Sequence, residues 1–272
     1  MSGRPSIGTV LVPTILLALA ATACATGGVP GGSGRTGGTD RPGVNGAATP
    51  SSTPLPEPST TLSETSCQGP GYFEGLPAGA ACWIEIATDD DPPIRVRYTI
   101  PAPGWSAFIG TFKDVDEGQD PQRVSVLIAD IKNVTVDACE QPVAARPPVG
   151  PTVEDLAVAL AHLPPFEVSS LAEEVTLAGY SGTHLQLRVP LDQPFEDLGA
   201  FIGCDNSALA SWIAPPLSFA FYGYTAPGET EDFWILDVDG ARVVIAAIAT
   251  ANASDELIAE QRAILDSIVI ER

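Results

Sequence analysis

Phe233 to Ala249 reads FWILDVDGARVVIAAIA. Two apolar runs flank Asp239-Gly240. Asp-Gly in that setting predicts a tight β-hairpin, because a type I′ turn needs positive φ at both central positions. Outward from this hairpin the strand pattern recurs. Trp83 to Thr88 (WIEIAT) alternates, Asp89 to Pro93 (DDDPP) turns, and Ile94 to Ile100 (IRVRYTI) puts Ile94, Val96, Tyr98 and Ile100 on one face. Ser106 to Phe112 reads as a third strand. Arg123 to Ile131 (RVSVLIADI) is apolar on both faces over most of its length, as a central strand should be. Val175 to Val189 reads as a strand bent at Gly179 and Gly182.

Two segments carry helical signals. Thr152 can cap a helix running to Leu163, with Asp155 three residues on to complete a capping box and Pro164-Pro165 to stop it. Val153, Leu156, Leu160 and Leu163 line one face. Ser254 can cap a second helix reaching Ile268, with Leu257, Ile264, Leu265 and Ile268 facing inward. Hairpins, helix, hairpins, helix is the order expected of an α+β domain, an antiparallel β-sheet covered by helices.

The front of the chain has a different grammar. Arg4 precedes an apolar run, Ile7 to Ala21, that ends in LAATACATGG (Leu19 to Gly28). A positive start, an apolar stretch shorter than a bilayer span and a small-residue end predict an export signal. Ala21-Thr22-Ala23 suits an ordinary signal peptidase. Ala21-Thr22-Ala23-Cys24 also resembles the bacterial lipobox, departing from it at Ala21, where leucine is usual. The lipobox reading makes residues 1–23 a lipoprotein signal peptide and Cys24 the lipidated mature terminus. Residues 24–66 are then a tether rich in Gly, Ser, Thr and Pro, which buries too little surface to fold and reaches roughly 35 Å as a coil. Residues 67–272, which hold every Trp and Tyr, form the folded extracytoplasmic domain. Secretion without a lipid is the alternative.

Three acids and three arginines precede Cys67, so the domain carries the whole net charge of −21. A surface of that sign repels phosphate and excludes nucleic-acid binding. With Cys24 set apart, four cysteines remain, an even number suited to an oxidising compartment. Of three connectivities the preferred one is Cys67–Cys82, tying the start of the domain to its first strand, with Cys139–Cys204. Each bridge is worth about 3–4 kcal/mol on the chain-entropy model. No C-x-x-C spacing and no histidine beside a cysteine pair supports zinc.

Sites of chemistry are few. His162 falls at a helix C-terminus, where its structural reading is favourable interaction with the dipole. In THLQLRV, His184, Gln186 and Arg188 share one face, and Arg95 and Arg97 form a similar polar face on IRVRYTI. These five residues are either a solvated face paired with carboxylates or a basic patch for an anionic ligand or acidic partner. Ser181 in GYSGT fails the G-x-S-x-G elbow because Thr183 replaces its second glycine. DVDEGQD (Asp114 to Asp120) resembles half a calcium loop, but Gln119 and Ser125 stand where glycine and glutamate are needed. Asp237-Val-Asp-Gly240 reads as a turn. Trp212 and Phe219, in ALASWIAPPLSFAF, are candidates to line a pocket or partner surface.

YTIPAPGW, a helix, VTLAGYSGTHLQLRVP, FWILDVDGARVVIAAI and a last helix ending ILDSIVI together resemble an uncharacterised actinobacterial extracytoplasmic domain found behind a lipobox or one membrane helix. The order of parts is similar to PsbP-like folds, including mycobacterial lipoproteins of that fold, over roughly residues 67–272. The resemblance implies a PsbP-like domain with a non-enzymatic accessory, sensor or binding role, and it favours the Cys139–Cys204 bridge. No catalytic residue, metal or cofactor follows from it. The sequence thus predicts a lipoprotein on the extracytoplasmic face of the cell membrane. It meets that membrane through its N-terminal lipid and binds a small molecule, envelope component or protein. A secreted envelope hydrolase is the alternative.

Overall fold

Asp239 and Gly240 both adopt positive φ, 52° and 87°, and the chain reverses there. The computed structural model describes residues 64–67, 73–87, 92–107, 110–115, 121–140, 143–196, 200–214 and 223–272. All fall within one compact unit, Pro58–Arg272. The first strands are β1 (Glu64–Ser66), β2 (Phe73–Leu76), β3 (Ala81–Ile86), β4 (Ile94–Thr99), β5 (Trp105–Ala107), β6 (Gly110–Val115), β7 (Gln122–Ala129) and β8 (Asn133–Val134). After helix α1 (Val153–Ala161) come β9 (Glu167–Leu177), β10 (Tyr180–Arg188), β11 (Phe195–Glu196), β12 (Ala200–Phe201), β13 (Trp212–Ile213), β14 (Thr230–Val238) and β15 (Ala241–Ala249). Helix α2 (Asp255–Asp266) and strand β16 (Val269–Glu271) end the chain.

Eight strands make one sheet in the order β2-β5-β6-β7-β15-β14-β10-β9, antiparallel throughout. Four make a second, β1-β3-β4-β16, antiparallel except between β1 and β3. Alternation along β15 shows why the large sheet is covered on both sides. Val243 and Ile245 enter the core shared with β3, β4 and α2, while Val244, Ala246 and Ile248 enter the core beneath α1. β7 divides likewise, with Val124, Val126 and Ile128 on the first side and Leu127 on the second. Each fully buried Ile or Leu contributes about 1.5–3 kcal/mol before chain entropy is charged.

The expected α+β class, a sheet covered by helices in the PsbP-like manner, is corrected. Among the described residues, sixteen strands stand against two helices of 9 and 12 residues. At 1.5 Å per residue those helices are about 14 and 18 Å long, whereas eight strands at about 4.8 Å spacing span nearly 35 Å. The small sheet does most of the covering on one side. Its apolar positions Ile84, Ile86, Ile94, Val96 and Tyr98 are all buried against the large sheet. Neither helix is long and apolar enough to cross a membrane.

Local expectations fare unevenly. Both helix starts form, α1 with the full capping box of Thr152 and Asp155, α2 with Ser254 accepting from the Leu257 N–H. The strand expected over Ser106–Phe112 is instead two antiparallel strands, β5 and β6. Gly110 sits at φ 139°, and any Cβ there would meet the Val126 carbonyl oxygen at 2.5 Å. The bent strand over Val175–Val189 is a hairpin, turning at Ala178 (φ 51°) and Gly179 (φ 87°). The last helix ends at Asp266, and β16 pairs with β4 instead of continuing the helix.

Candidate functional site

The face of the large sheet beneath α1 changes character along β10. Leu185 and Leu187 are buried under the helix. Ser181 and Thr183 have the same parity but lie beyond the helix N-terminus, where they line an open hollow instead of the core. Their partners on β9 are Thr176 and Glu174, and Thr183 is also level with Ile235 of β14. Asp237 of β14 and Arg242 of β15 extend the same surface, being register partners. The result is an open trough of about 890 Å3, floored by these strands and walled by Pro151 to Glu154.

The charges in the trough are unequal in availability. Arg242 is committed to the wall: Nη1 donates to the carbonyls of Gly150 (2.6 Å) and Thr152 (2.9 Å), and Nη2 to that of Ile131 (2.7 Å). Burial lowers its proton affinity from the ordinary arginine value, and Asp130 and Asp155 oppose that shift. The positive end of α1 is answered from within the chain, since Asp155 accepts from the Thr152 N–H and hydroxyl. Those bonds hold the Asp155 carboxyl below its usual range. Asp237 accepts from the Gly240 N–H at 2.7 Å. What remains toward solvent is a set of hydroxyls (Thr176, Ser181, Thr183) and carboxylates (Glu154, Glu174).

The five residues of the expected binding face do not converge. Arg95 and Arg97 are on the small sheet, alternating with core-facing Ile94, Val96 and Tyr98. Arg95 reaches Glu85 and Arg97 reaches Glu271, both at 2.6 Å, and Arg95 also lies 4.8 Å over the Trp83 ring. His184, Gln186 and Arg188 are on β10, on the face of the large sheet opposite α1. His184 donates through Nε2 to Asp232 at 2.8 Å, approaches Glu173 through Nδ1 at 3.5 Å, and stacks on Trp234 with centroids 4.9 Å apart. The Asp232 hydrogen bond raises the imidazole pKa against its desolvation. Gln186 donates to the other Asp232 oxygen at 2.8 Å, and Arg188 pairs with Glu167 at 2.5 Å.

No family model matches this chain. No curated protein matches it either. One solved structure that does match is described as LpqN, involved in cell envelope biogenesis of Mycobacterium tuberculosis. It is 15% identical, covers 74% of this chain and 92% of its own, and superposes with a TM-score of 0.28. A likeness of that degree carries neither fold nor function over to this protein.

Other readings find their places. Both disulfides are present as paired from the sequence, Cys67–Cys82 and Cys139–Cys204. His162 donates through Nδ1 to the Val158 carbonyl at 2.8 Å, satisfying one of the last-turn acceptors of α1. Ser181 stands on a hairpin strand and not on a strand-to-helix elbow. Asp114 pairs with Arg123 at 2.5 Å, while residues 116–120 of the calcium-like loop lie outside the described residues. So do Cys24, the signal segment, the tether up to residue 63, and Phe219. Trp212 is wholly buried and lines no surface. Among the described residues no three His, Cys, Asp or Glu side chains cluster to hold a metal. The trough itself was missed from sequence. Its one legible signal was the parity of Ser181 and Thr183 with Leu185 and Leu187.

Proposed function

We propose that this protein is an exported lipoprotein, anchored through Cys24 to the outer face of the cell membrane, whose domain binds a small polar ligand without transforming it. The observation that carries the binding reading is the switch from Leu185 and Leu187 to Ser181 and Thr183 where α1 ends, which opens the trough. A concave site with a few convergent polar groups is where small molecules bind. Hydroxyls donate and accept, the carboxylates accept, and the guanidinium is spent on the wall. That inventory suits an uncharged or cationic polar molecule and opposes an anion. Support for export comes from the ATAC stretch at 21–24 and from two disulfides, which persist in oxidising compartments.

Native mass spectrometry of the full chain, recovered from the membranes of a lipoprotein-processing bacterial host, tests both halves. The expected spectrum shows a diacyl or triacyl mass on Cys24 and a co-purifying ligand. In Ser181→Leu/Thr183→Leu the lipid mass stays and the ligand is lost. A wild-type chain with an unmodified Cys24 overturns the anchor. Ligand retained by the double variant, or none found on the wild type, overturns the trough.

A further inference from the structure

Glu231 lies on β14, on the α1 side of the large sheet, and is 0% exposed. Its register neighbours are Leu187 of β10 and Ile248 of β15, both buried and apolar. Three donors converge on it. Trp212 Nε1–H reaches Oε1 at 2.9 Å, the Ser211 hydroxyl reaches Oε2 at 2.9 Å, and the Tyr224 hydroxyl makes a short contact with Oε2. All three come from segments 209–213 and 224–229, which lie outside the large sheet and cover it. Leu209 is bridged to Tyr224, and the Ala210 N–H donates to the carbonyl of Ala138, beside the Cys139–Cys204 bond. One carboxyl group thus ties both cover segments to the sheet through side-chain bonds, beside the backbone bonds of Val189 with Gly228 and Glu229.

Among the described residues, the ionisable groups facing this carboxyl are Tyr224 and Glu229, and neither supplies positive charge. Glu229 is also 0% exposed, and accepts from the Thr225 and Ala226 N–H groups and the Thr225 hydroxyl. Tyr224 is held neutral, its phenol pushed well above the ordinary value by burial and then by the negative charge of Glu231. A protonated Glu231 closes a neutral circuit: its own O–H donates to Tyr224, the Tyr224 hydroxyl to Ser211 at 3.3 Å, and Ser211 back to Oε2. An ionised Glu231 accepts the same donors but leaves a negative charge in an apolar setting beside a second acid.

We propose that Glu231 is a proton-operated latch, fastening segments 209–213 and 224–229 to the sheet while it is protonated and releasing them as it ionises. The proposal is independent of the trough. Burial pushes this carboxyl up to about 7, against the lowering effect of the Trp212, Tyr224 and Ser211 bonds. The ordinary value is 4.5. A raised native pKa means that the fastening is complete below the ordinary value and is lost as the pH rises toward and through the raised one. Opening of the cover therefore grows by about tenfold per pH unit between the two values and levels off above the second.

The Trp212 indole proton reports the state of the latch directly. In the full chain its NMR resonance should titrate with a midpoint near 7. Over the same range, amide exchange in 209–213 and 224–229, corrected for intrinsic rates, should climb by about tenfold per unit before levelling. Glu231→Gln, which keeps the shape and cannot ionise, should be flat in both readouts at the low-pH level. An indole resonance unmoved from acid to alkaline pH overturns the latch, as does a climb that persists in Glu231→Gln. Should that variant fail to fold, the wild-type indole titration decides alone.

Discussion

His184 is held between strands by carboxylates on either side, Asp232 of β14 and Glu173 of β9. Its raised pKa has a definite consequence for stability. The contribution is whole below the unfolded value near 6.5 and declines as pH rises through the higher native value. We expect His184→Gln to cost about 1–2 kcal/mol at mildly acidic pH, and less in alkali, because a charge-assisted hydrogen bond is lost only where the imidazolium exists. Urea denaturation at the two pH values measures the difference. An equal cost at both would show that ring packing on Trp234 sets the energy instead. At this scale the sequence was informative about parity and silent about partners. Its alternation placed His184, Gln186 and Arg188 on one face. It could not pair Gln186 and His184 with the same Asp232, because that residue is brought alongside by the register of β14 on β10.

Elements form where local chemistry and packing agree. The capping box of Thr152 and Asp155 was legible because both partners lie within one turn. The Asp239-Gly240 hairpin was legible because only its two φ angles mattered. β16 was not, since ILDSIVI continues a helical apolar pattern until Ser267 caps it. The Ser267 hydroxyl then accepts from the Thr99 N–H of the neighbouring chain segment at 2.9 Å. Gly182 is the position where the β10–β14 pairing depends on a missing side chain. A Cβ there would meet the Ile235 carbonyl oxygen at 2.1 Å, and that oxygen is backbone and cannot swing away. Gly182→Ala should therefore destabilise the domain by about 1–3 kcal/mol through overpacking, read as a lower denaturation midpoint. It should also increase amide exchange along Leu185 to Arg188. A neutral effect would mean that the two strands can part by some tenths of an ångström at no cost.

Over the whole molecule, the two disulfides close loops of very different size, with sequence separations of 15 and 65. Chain entropy ranks them: about 3 kcal/mol for Cys67–Cys82 and about 4 kcal/mol for Cys139–Cys204. Paired Cys→Ala variants in chemical denaturation should preserve that order. The larger bridge also ties 139 to the loop that follows β12, so its loss should raise exchange in the cover over Glu231 first. Equal losses, or a reversed order, would place the stabilisation in native contacts instead of the unfolded chain. The trough and the latch lie on the same face of the large sheet, one beyond the helix and one beneath the loops, and neither is written in any contiguous stretch.

The amino-acid order alone determined the turns, the helix starts, the even set of four cysteines and the change of character at Cys67, because each rests on neighbours a few residues apart or on simple counting; which cysteines pair was decided by the fold. Tertiary structure decided which strands share a sheet. β3 and β4 carry one apolar face, and that face is satisfied equally by joining a sheet under a helix or by forming a second sheet against the first. Hydrophobic burial has no direction, so the pattern cannot choose. The choice came from β16 and β1 pairing with this hairpin, contacts more than a hundred residues apart for β16. That non-local pairing made the domain a sheet packed on a sheet, and left short α1 to cover only part of the other face, with the trough beyond its end.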